Sequence, residues 1–245
     1  MPKYYFAPEQ LQDSKITLLE NTAHHLLHVL RVTVGDKIVL CNGANMDYHA
    51  VVTELLSKSK QPGVRLEVQD AVPSATEPRT KVTLYQSVPK GDKMDTIIQK
   101  CVELGVLSIV PIITERSVVR KKETGKKASR YQRIAESAAG QSMRGIIPTI
   151  HTAISFEEAV KSMNTSELSL VAYEGERKRS LKNTLREYTS SAVNLWIGPE
   201  GGFAPEEIAV LQEKQAVTVS LGPRILRTET AAIAMLAQVL YEIEC

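Results

Sequence analysis

The spacing of apolar and polar residues gives the chain two different rhythms. Over residues 1–72 the apolar runs are short. Tyr4-Tyr5-Phe6, Lys37 to Leu40, Tyr48 to Leu55 and Val64 to Val68 predict strands, separated by turns at Gly35-Asp36, Asn42-Gly43 and Pro62-Gly63. One short helix is expected from about Thr22 to Arg31. Short strands with closely spaced turns indicate a small β-barrel.

The stretch Val72 to Thr80 has two prolines and few large apolar residues, which marks residues 73–80 as a linker. From Lys81 the rhythm changes to strand–helix alternation. Val82 to Val88 predicts a strand. Met94, Ile97, Ile98, Cys101 and Leu104 repeat at helical spacing, so a helix is expected over Asp92 to Leu104, with Gly105 placed to end it. Further strands are expected at Leu107 to Ile113, Leu168 to Tyr173, Val193 to Ile197 and Val217 to Leu221, and a helix from about Ser129 to Met143. Pro205-Glu206-Glu207 opens another helix, because proline suits the first position and acids suit the positive end of the dipole. The last helix, about Glu229 to Ile243, is apolar on most sides (Ile233, Leu236, Val239, Leu240) and is expected to be buried. The alternation implies an α/β domain with a mainly parallel sheet covered on both faces.

Two glycine- and proline-marked loops stand out in that frame. Gly198-Pro199-Glu200-Gly201-Gly202 and Leu221-Gly222-Pro223-Arg224-Ile225-Leu226-Arg227-Thr228-Glu229 each follow an expected strand and precede an expected helix. Ligands in open α/β sheets sit at the carboxyl ends of strands, so two such loops point to one shared site. The polar residues Arg130, Arg133, Ser137, Gln141 and Arg144 fall on one face of the helix at 129–143. Arg130 and Arg133 read as a solvated face. Gln141 and Arg144, at the helix end, are placed to hold a phosphate or a developing anion.

Composition narrows the picture. The chain has 245 residues, 43% hydrophobic, and no apolar run long enough for a membrane span. Its start lacks the apolar stretch of a signal peptide, and the three cysteines (Cys41, Cys101, Cys245) have no metal spacing, which predicts a reduced, cytoplasmic protein. His24 and His28 lie one helical turn apart but have no third ligand at a recognised spacing, so no metal is expected. Neither a P-loop nor G-x-G-x-x-G is present, so ATP and NAD sites have no support. The net charge of +2 hides a pattern. Residues 73–145 carry 14 basic and 7 acidic side chains, with eight Lys/Arg against Glu123 alone between Arg116 and Arg133. A basic stretch in a near-neutral chain is the electrostatic footprint of a polyanion, with nucleic acid the first candidate.

The residues just described resemble the 16S ribosomal RNA uracil-N3 methyltransferase family, within the SPOUT superfamily of knotted methyltransferases. The resemblance runs nearly the whole length, through His24-His25 with Val29-Leu30-Arg31, Lys90-Gly91-Asp92-Lys93, Glu115-Arg116-Ser117, Gln141-Ser142 with Arg144, and most specifically through the two glycine loops. Ala204 stands where the family often has Ser or Thr. The resemblance implies an N-terminal PUA-like β-barrel (1–72) that binds RNA and a C-terminal SPOUT α/β trefoil-knot domain (81–245). It also implies S-adenosylmethionine as methyl donor, a homodimer, and the small ribosomal subunit as partner. On that basis Gly198, Pro199, Glu200, Gly201, Leu221, Gly222, Ile225 and Leu226 are expected to hold the methyl donor, with Tyr173 and Glu174 nearby. Arg144, Arg227 and Glu229 are expected to carry the chemistry, with Glu200 as the other candidate proton acceptor. Arg31, Lys90, Lys93, Arg116, Arg120 and Gln141 are expected to meet RNA. Two alternatives stay open: a SPOUT methyltransferase for a different rRNA or tRNA nucleotide, and a non-catalytic ribosome-assembly factor that binds RNA.

Overall fold

A computed structural model describes residues 3–56, 61–118, 127–186 and 191–244. It falls into two units, Met1–Glu77 with Ala139–Ile147, and Pro78–Ala138 with Pro148–Cys245.

The first unit is built on one sheet, curled into a half-barrel, of β1 (Tyr4–Tyr5), β2 (Leu11–Gln12), β3 (Lys15–Leu19), β4 (Lys37–Cys41), β5 (Met46–Leu55) and β6 (Gly63–Pro73). The order is β1-β4-β5-β6-β3-β2, antiparallel except for the parallel pair β1–β4. Side chains alternate across a strand. Ile16 and Leu18, Ile38 and Leu40, Ala50 and Val52, and Val64 and Leu66 accordingly all point into one core, closed by Phe6, Leu26 and Val32. The register aligns these pairs, with Ile16 opposite Leu66 and Ile38 opposite Ala50. The expected helix begins earlier than read and changes pitch. Helix α1 (Glu20–His24) runs into a π-helical segment, His25–Leu30, which ends at Arg31 with φ 53°.

Residues 139–147, read within the C-terminal domain, pack with the first unit. The reason is a buried polar clamp. The Arg144 guanidinium donates to Glu77 through Nε at 3.2 Å and Nη2 at 2.6 Å, and Glu77 Oε1 also accepts from the Gly145 and Ile146 amides at 2.8 and 3.1 Å. Tyr5 donates to the Arg144 carbonyl at 2.8 Å, and the Cys41 thiol donates to the Gly145 carbonyl at 3.2 Å. Burial raises both the Tyr5 hydroxyl and the Cys41 thiol above their ordinary values, so both stay protonated donors. Glu77, read as linker, is thus an anchor.

The second unit has an entirely parallel sheet of β7 (Lys81–Ser87), β8 (Ser108–Ile113), β9 (Thr149–Ile150), β10 (Ile154–Ser155), β11 (Leu168–Ala172), β12 (Ala192–Ile197) and β13 (Val217–Val219). Its order is β10-β8-β7-β12-β11-β13, with β9 beside β8. The helices are α2 (Lys93–Leu104), α3 (Ala128–Gln141), α4 (Phe156–Lys161), α5 (Leu181–Arg186), α6 (Pro205–Glu213) and α7 (Thr228–Glu244). Met94, Ile97, Ile98 and Cys101 form the buried face of α2, and Gly105 ends it at φ 113°, donating to the carbonyls of Cys101 and Val102. Burial pushes the Cys101 thiol up to about 12, which leaves it inert. Ala204 supplies no capping side chain to α6; Glu207 compensates by accepting from the Ala204 amide at 2.9 Å. On one face of the sheet, Trp196 stacks on Tyr85 with centroids 4.1 Å apart, packed with Phe156 and Phe203. Helix α7 buries one face (Ala232, Met235, Leu236, Val239), not most of its circumference. Ile233 and Leu240 are half-buried and Tyr241 is 69% exposed.

Candidate active site

The parallel strands deliver their carboxyl ends to one region, and the two glycine loops start there, after β12 and β13. The anchor is a residue that pattern reading passed over. Gln86 ends the apolar run of β7 and is completely buried. Its amide donates to the Ser87 carbonyl at 2.8 Å and to Thr228 Oγ1 at 3.0 Å, and Thr228 donates onward to the Gly198 carbonyl at 2.7 Å. Three elements are thereby bolted together: β7, the loop after β12, and the first residue of α7. The signal in the sequence was a polar amide at the carboxyl end of a predicted strand.

The first loop turns tightly, with the Gly202 amide donating to the Pro199 carbonyl at 3.0 Å. Gly202 has φ +68°, and a Cβ there would lie 2.3 Å from Glu174 Oε1. Any side chain would therefore be strained in its backbone and would force the Glu174 carboxylate to shift. Arg116 holds the loop from outside, donating from Nη1 to the Gly201 carbonyl at 2.8 Å. Arg116 is placed by a hydroxyl cluster in which Ser87 Oγ lies 2.7 Å from Thr114 Oγ1 and 3.1 Å from Ser117 Oγ.

Glu200 turns toward α2. Its Oε1 accepts from Lys93 Nζ at 2.6 Å and from the Lys90 amide at 3.3 Å. Partial burial works to raise its carboxyl, but Lys93 and these amide contacts outweigh it and hold the group below the usual carboxylate range. Lys93 Nζ also lies 3.9 Å from Glu229 Oε2. Glu229 differs in kind. Among the described residues its Oε2 is a buried acceptor with no hydrogen bond, and so is Gln86 Oε1. A buried polar atom left open in a native fold calls for an explanation, and a ligand bearing donors or positive charge is one.

The second loop carries Gly222 at φ +118°, half-buried Leu221 and Leu226, and an Ile225 that is 88% exposed. Pro199 is buried and Arg227 is exposed immediately before α7. Lys90 is exposed; Lys93 is engaged by the two glutamates. Arg120 lies outside the described residues, as do Lys121, Lys122 and Lys126. Arg130 is paired with Asp95.

The first unit holds the remaining candidates. Arg31 and Gln141 are exposed there. Arg144 does not share the exposed face of Gln141. Helix α3 stops at Gln141, Met143 takes φ +62°, and the turn carries Arg144 inward to 2% exposure against Glu77. Arg144 would share that face only if the helix continued three residues beyond Gln141. Among the described residues no group of three His, Cys, Asp or Glu is arranged to hold a metal, and no helix is long and apolar enough to cross a membrane.

Residues 76–240 match the family described as an RNA methyltransferase domain, and residues 18–60 match an RNA methyltransferase PUA domain. The chain belongs to the RNA methyltransferase family. The ribosomal RNA small subunit methyltransferase E of Bacillus subtilis is 33% identical over the whole of this chain and 98% of its own length. The protein of that name from Synechocystis is 32% identical over 95% of this chain and 75% of its own. The crystal structure of a ribosomal RNA small subunit methyltransferase E from Neisseria gonorrhoeae, bound to S-adenosyl methionine, superposes with a TM-score of 0.87 at 34% identity, covering 98% of this chain and 97% of that one. The fold is that of an α/β RNA methyltransferase domain with a PUA-like N-terminal domain, as the resemblance implied.

Proposed function

We propose that this RNA methyltransferase transfers a methyl group from S-adenosylmethionine to N3 of one uridine in 16S rRNA of the small ribosomal subunit. The observation that carries the reading is Glu229 Oε2, a buried carboxylate oxygen left without a hydrogen bond beside two glycine loops. Full-length relatives bearing the small-subunit methyltransferase name support the substrate class.

The residues present fit the methyl donor. S-adenosylmethionine bears a sulfonium, an ammonium and an adenine amino group, and the open acceptors Gln86 Oε1 and Glu229 Oε2 are of the type such groups satisfy. Backbone of Gly198, Pro199, Glu200, Gly201, Leu221, Gly222, Ile225 and Leu226 would hold it, with Tyr173 and Glu174 beside the first loop. When bound, it supplies an electrophilic methyl group on a positively charged sulfur.

The protein must supply the rest. Uracil N3 is a poor nucleophile until its proton leaves. Glu229 is the proton acceptor in this account. Glu200 is set aside for that role because Lys93 and the Lys90 amide hold its carboxyl below the usual carboxylate range, which makes it the weaker base. Arg227, exposed beside the N-terminus of α7, stabilises the uracil anion, aided by the positive end of that helix. The target base must be unpaired or pulled from its stack, since N3 lies on the pairing edge. Lys93 and Arg116 act as tethers of the first loop. Arg144 acts as a positioning residue, through its clamp on Glu77. Lys90, Arg31, Gln141 and the basic stretch including Arg120 meet RNA phosphates. A second copy of the chain covers the exposed Ile225 and Tyr241, giving a homodimer, and the enzyme works in the cytoplasm.

Incubation with methyl-labelled S-adenosylmethionine and small ribosomal subunits lacking the modification tests the reading. Label is expected in the rRNA. Label in transfer RNA alone, or in no RNA, contradicts it.

A further inference from the structure

The first unit contains a cavity remote in sequence from the glycine loops. It measures about 360 Å³ and is lined by Leu19, Glu20, Asn21, His24, His28 and the Gln61-Pro62 turn. We propose that it binds one unpaired nucleobase bearing an exocyclic amino group, a nucleotide of the RNA other than the methylated uridine. The proposal rests on the RNA-substrate reading above and adds a recognition site to it.

Four observations converge. First, the size is at the lower end of small-ligand sites, right for one base and too small for a folded element. Second, His24 and His28 present adjacent rings, with centroids 4.7 Å apart and planes at 47°. Both rings are exposed, and among the described residues neither makes a hydrogen bond. The other imidazoles of this unit are occupied: His25 lies 2.7 Å from the Tyr4 hydroxyl and His49 lies 2.6 Å from Asp70. Exposed imidazole rings in a cavity also lined by the apolar Leu19 and Pro62 are what an unstacked base packs against.

Third, the backbone is distorted at this spot. Glu20 has φ +52°, rare for a residue with a side chain, and the helix widens to π geometry from His25 to Leu30. Such irregularities persist where a function maintains them. Here the irregular backbone coincides with the lining residues Glu20, Asn21, His24 and His28. Fourth, the rim chemistry is selective. The Glu20 carboxylate only accepts hydrogen bonds, so it favours a base edge rich in N–H donors, and the Asn21 amide both donates and accepts. Uracil offers a single N–H between two carbonyl oxygens, which the carboxylate repels. Arg31 caps the same π segment and is exposed, placed for the adjoining phosphate.

The chain has five histidines, so their ring protons can be followed one by one by NMR. Titration of the wild-type protein with AMP, CMP, GMP and UMP is expected to shift His24 and His28 with the first three and only weakly with UMP. His49 and His151 serve as unshifted internal references. Glu20→Gln is expected to abolish the discrimination against UMP. No shift at His24 and His28 with any nucleotide, or an equal response to UMP in the wild type, overturns the proposal. In methyl transfer, the His24→Ala/His28→Ala protein is expected to show a KM for small subunits raised about tenfold at unchanged kcat. An unchanged KM overturns the pocket while leaving the reaction intact. Histidine shifts in a protein that methylates no RNA would instead preserve the pocket and remove the reaction.

Discussion

Glu200 and Glu229 both stand at the candidate site, yet their surroundings differ. Glu200 is hydrogen-bonded by Lys93 and the Lys90 amide, whereas Glu229 keeps one buried oxygen without a hydrogen bond, 3.9 Å from Lys93. Arg227 and Arg144 divide in the same way: one is exposed before α7, the other is buried against Glu77. For Arg227→Ala, the account expects kcat to fall about a hundredfold, the scale of removing one transition-state donor, with S-adenosylmethionine affinity nearly unchanged. Single-turnover kinetics beside a cofactor titration separate the two, and an equal loss in both would show that Arg227 only shapes the loop. Glu77→Ala removes the carboxylate to which the buried Arg144 guanidinium donates. Breaking a buried pair from one side costs about 3–5 kcal/mol. A denaturant melt of the variant is expected to show a loss on that scale, and a loss within experimental error would remove the clamp from the account.

At the scale of elements, the first loop is the most constrained piece of backbone in the site. Gly202→Ala sets a methyl group against the Glu174 carboxylate from a left-handed backbone. Cofactor affinity is expected to fall at least tenfold, by calorimetry, while the melting temperature moves little; tight binding by this variant would mean the loop is not part of the cofactor site. The elements that position this loop were legible where local physics acts alone. The helical spacing from Met94 to Leu104 with Gly105 beyond it, the apolar runs of β11 and β12, and Pro205 opening α6 each carry their own signal. The short pieces β9, β10, α4 and α5 were not read, because two to six residues give no usable period. β3 was missed although Lys15 to Leu19 alternates, since its turn at Asp13-Ser14 uses left-handed residues without glycine. The site was legible as two loops but not as a mechanism. The Gln86–Thr228–Gly198 connection and the Glu77–Arg144 clamp join residues far apart in sequence, and only folding brings them together.

Across the whole molecule, charge is distributed unevenly. The excess of Lys and Arg between Arg116 and Arg133 sits in a chain of net charge +2, so a polyanion would meet a local field rather than a general attraction. Replacing Lys121, Lys122, Lys126 and Lys127 by Glu is expected to weaken RNA binding and flatten its dependence on salt, because fewer counterions are displaced. An unchanged slope would place the phosphate contacts elsewhere. The most direct test of the central claim is the identity of the methylated nucleoside. Small subunits from a strain lacking this gene would be incubated with the protein and labelled S-adenosylmethionine, then digested to nucleosides and resolved by mass. The expected labelled product is 3-methyluridine. A ribose-methylated nucleoside, a methylguanosine, or no labelled nucleoside would contradict it.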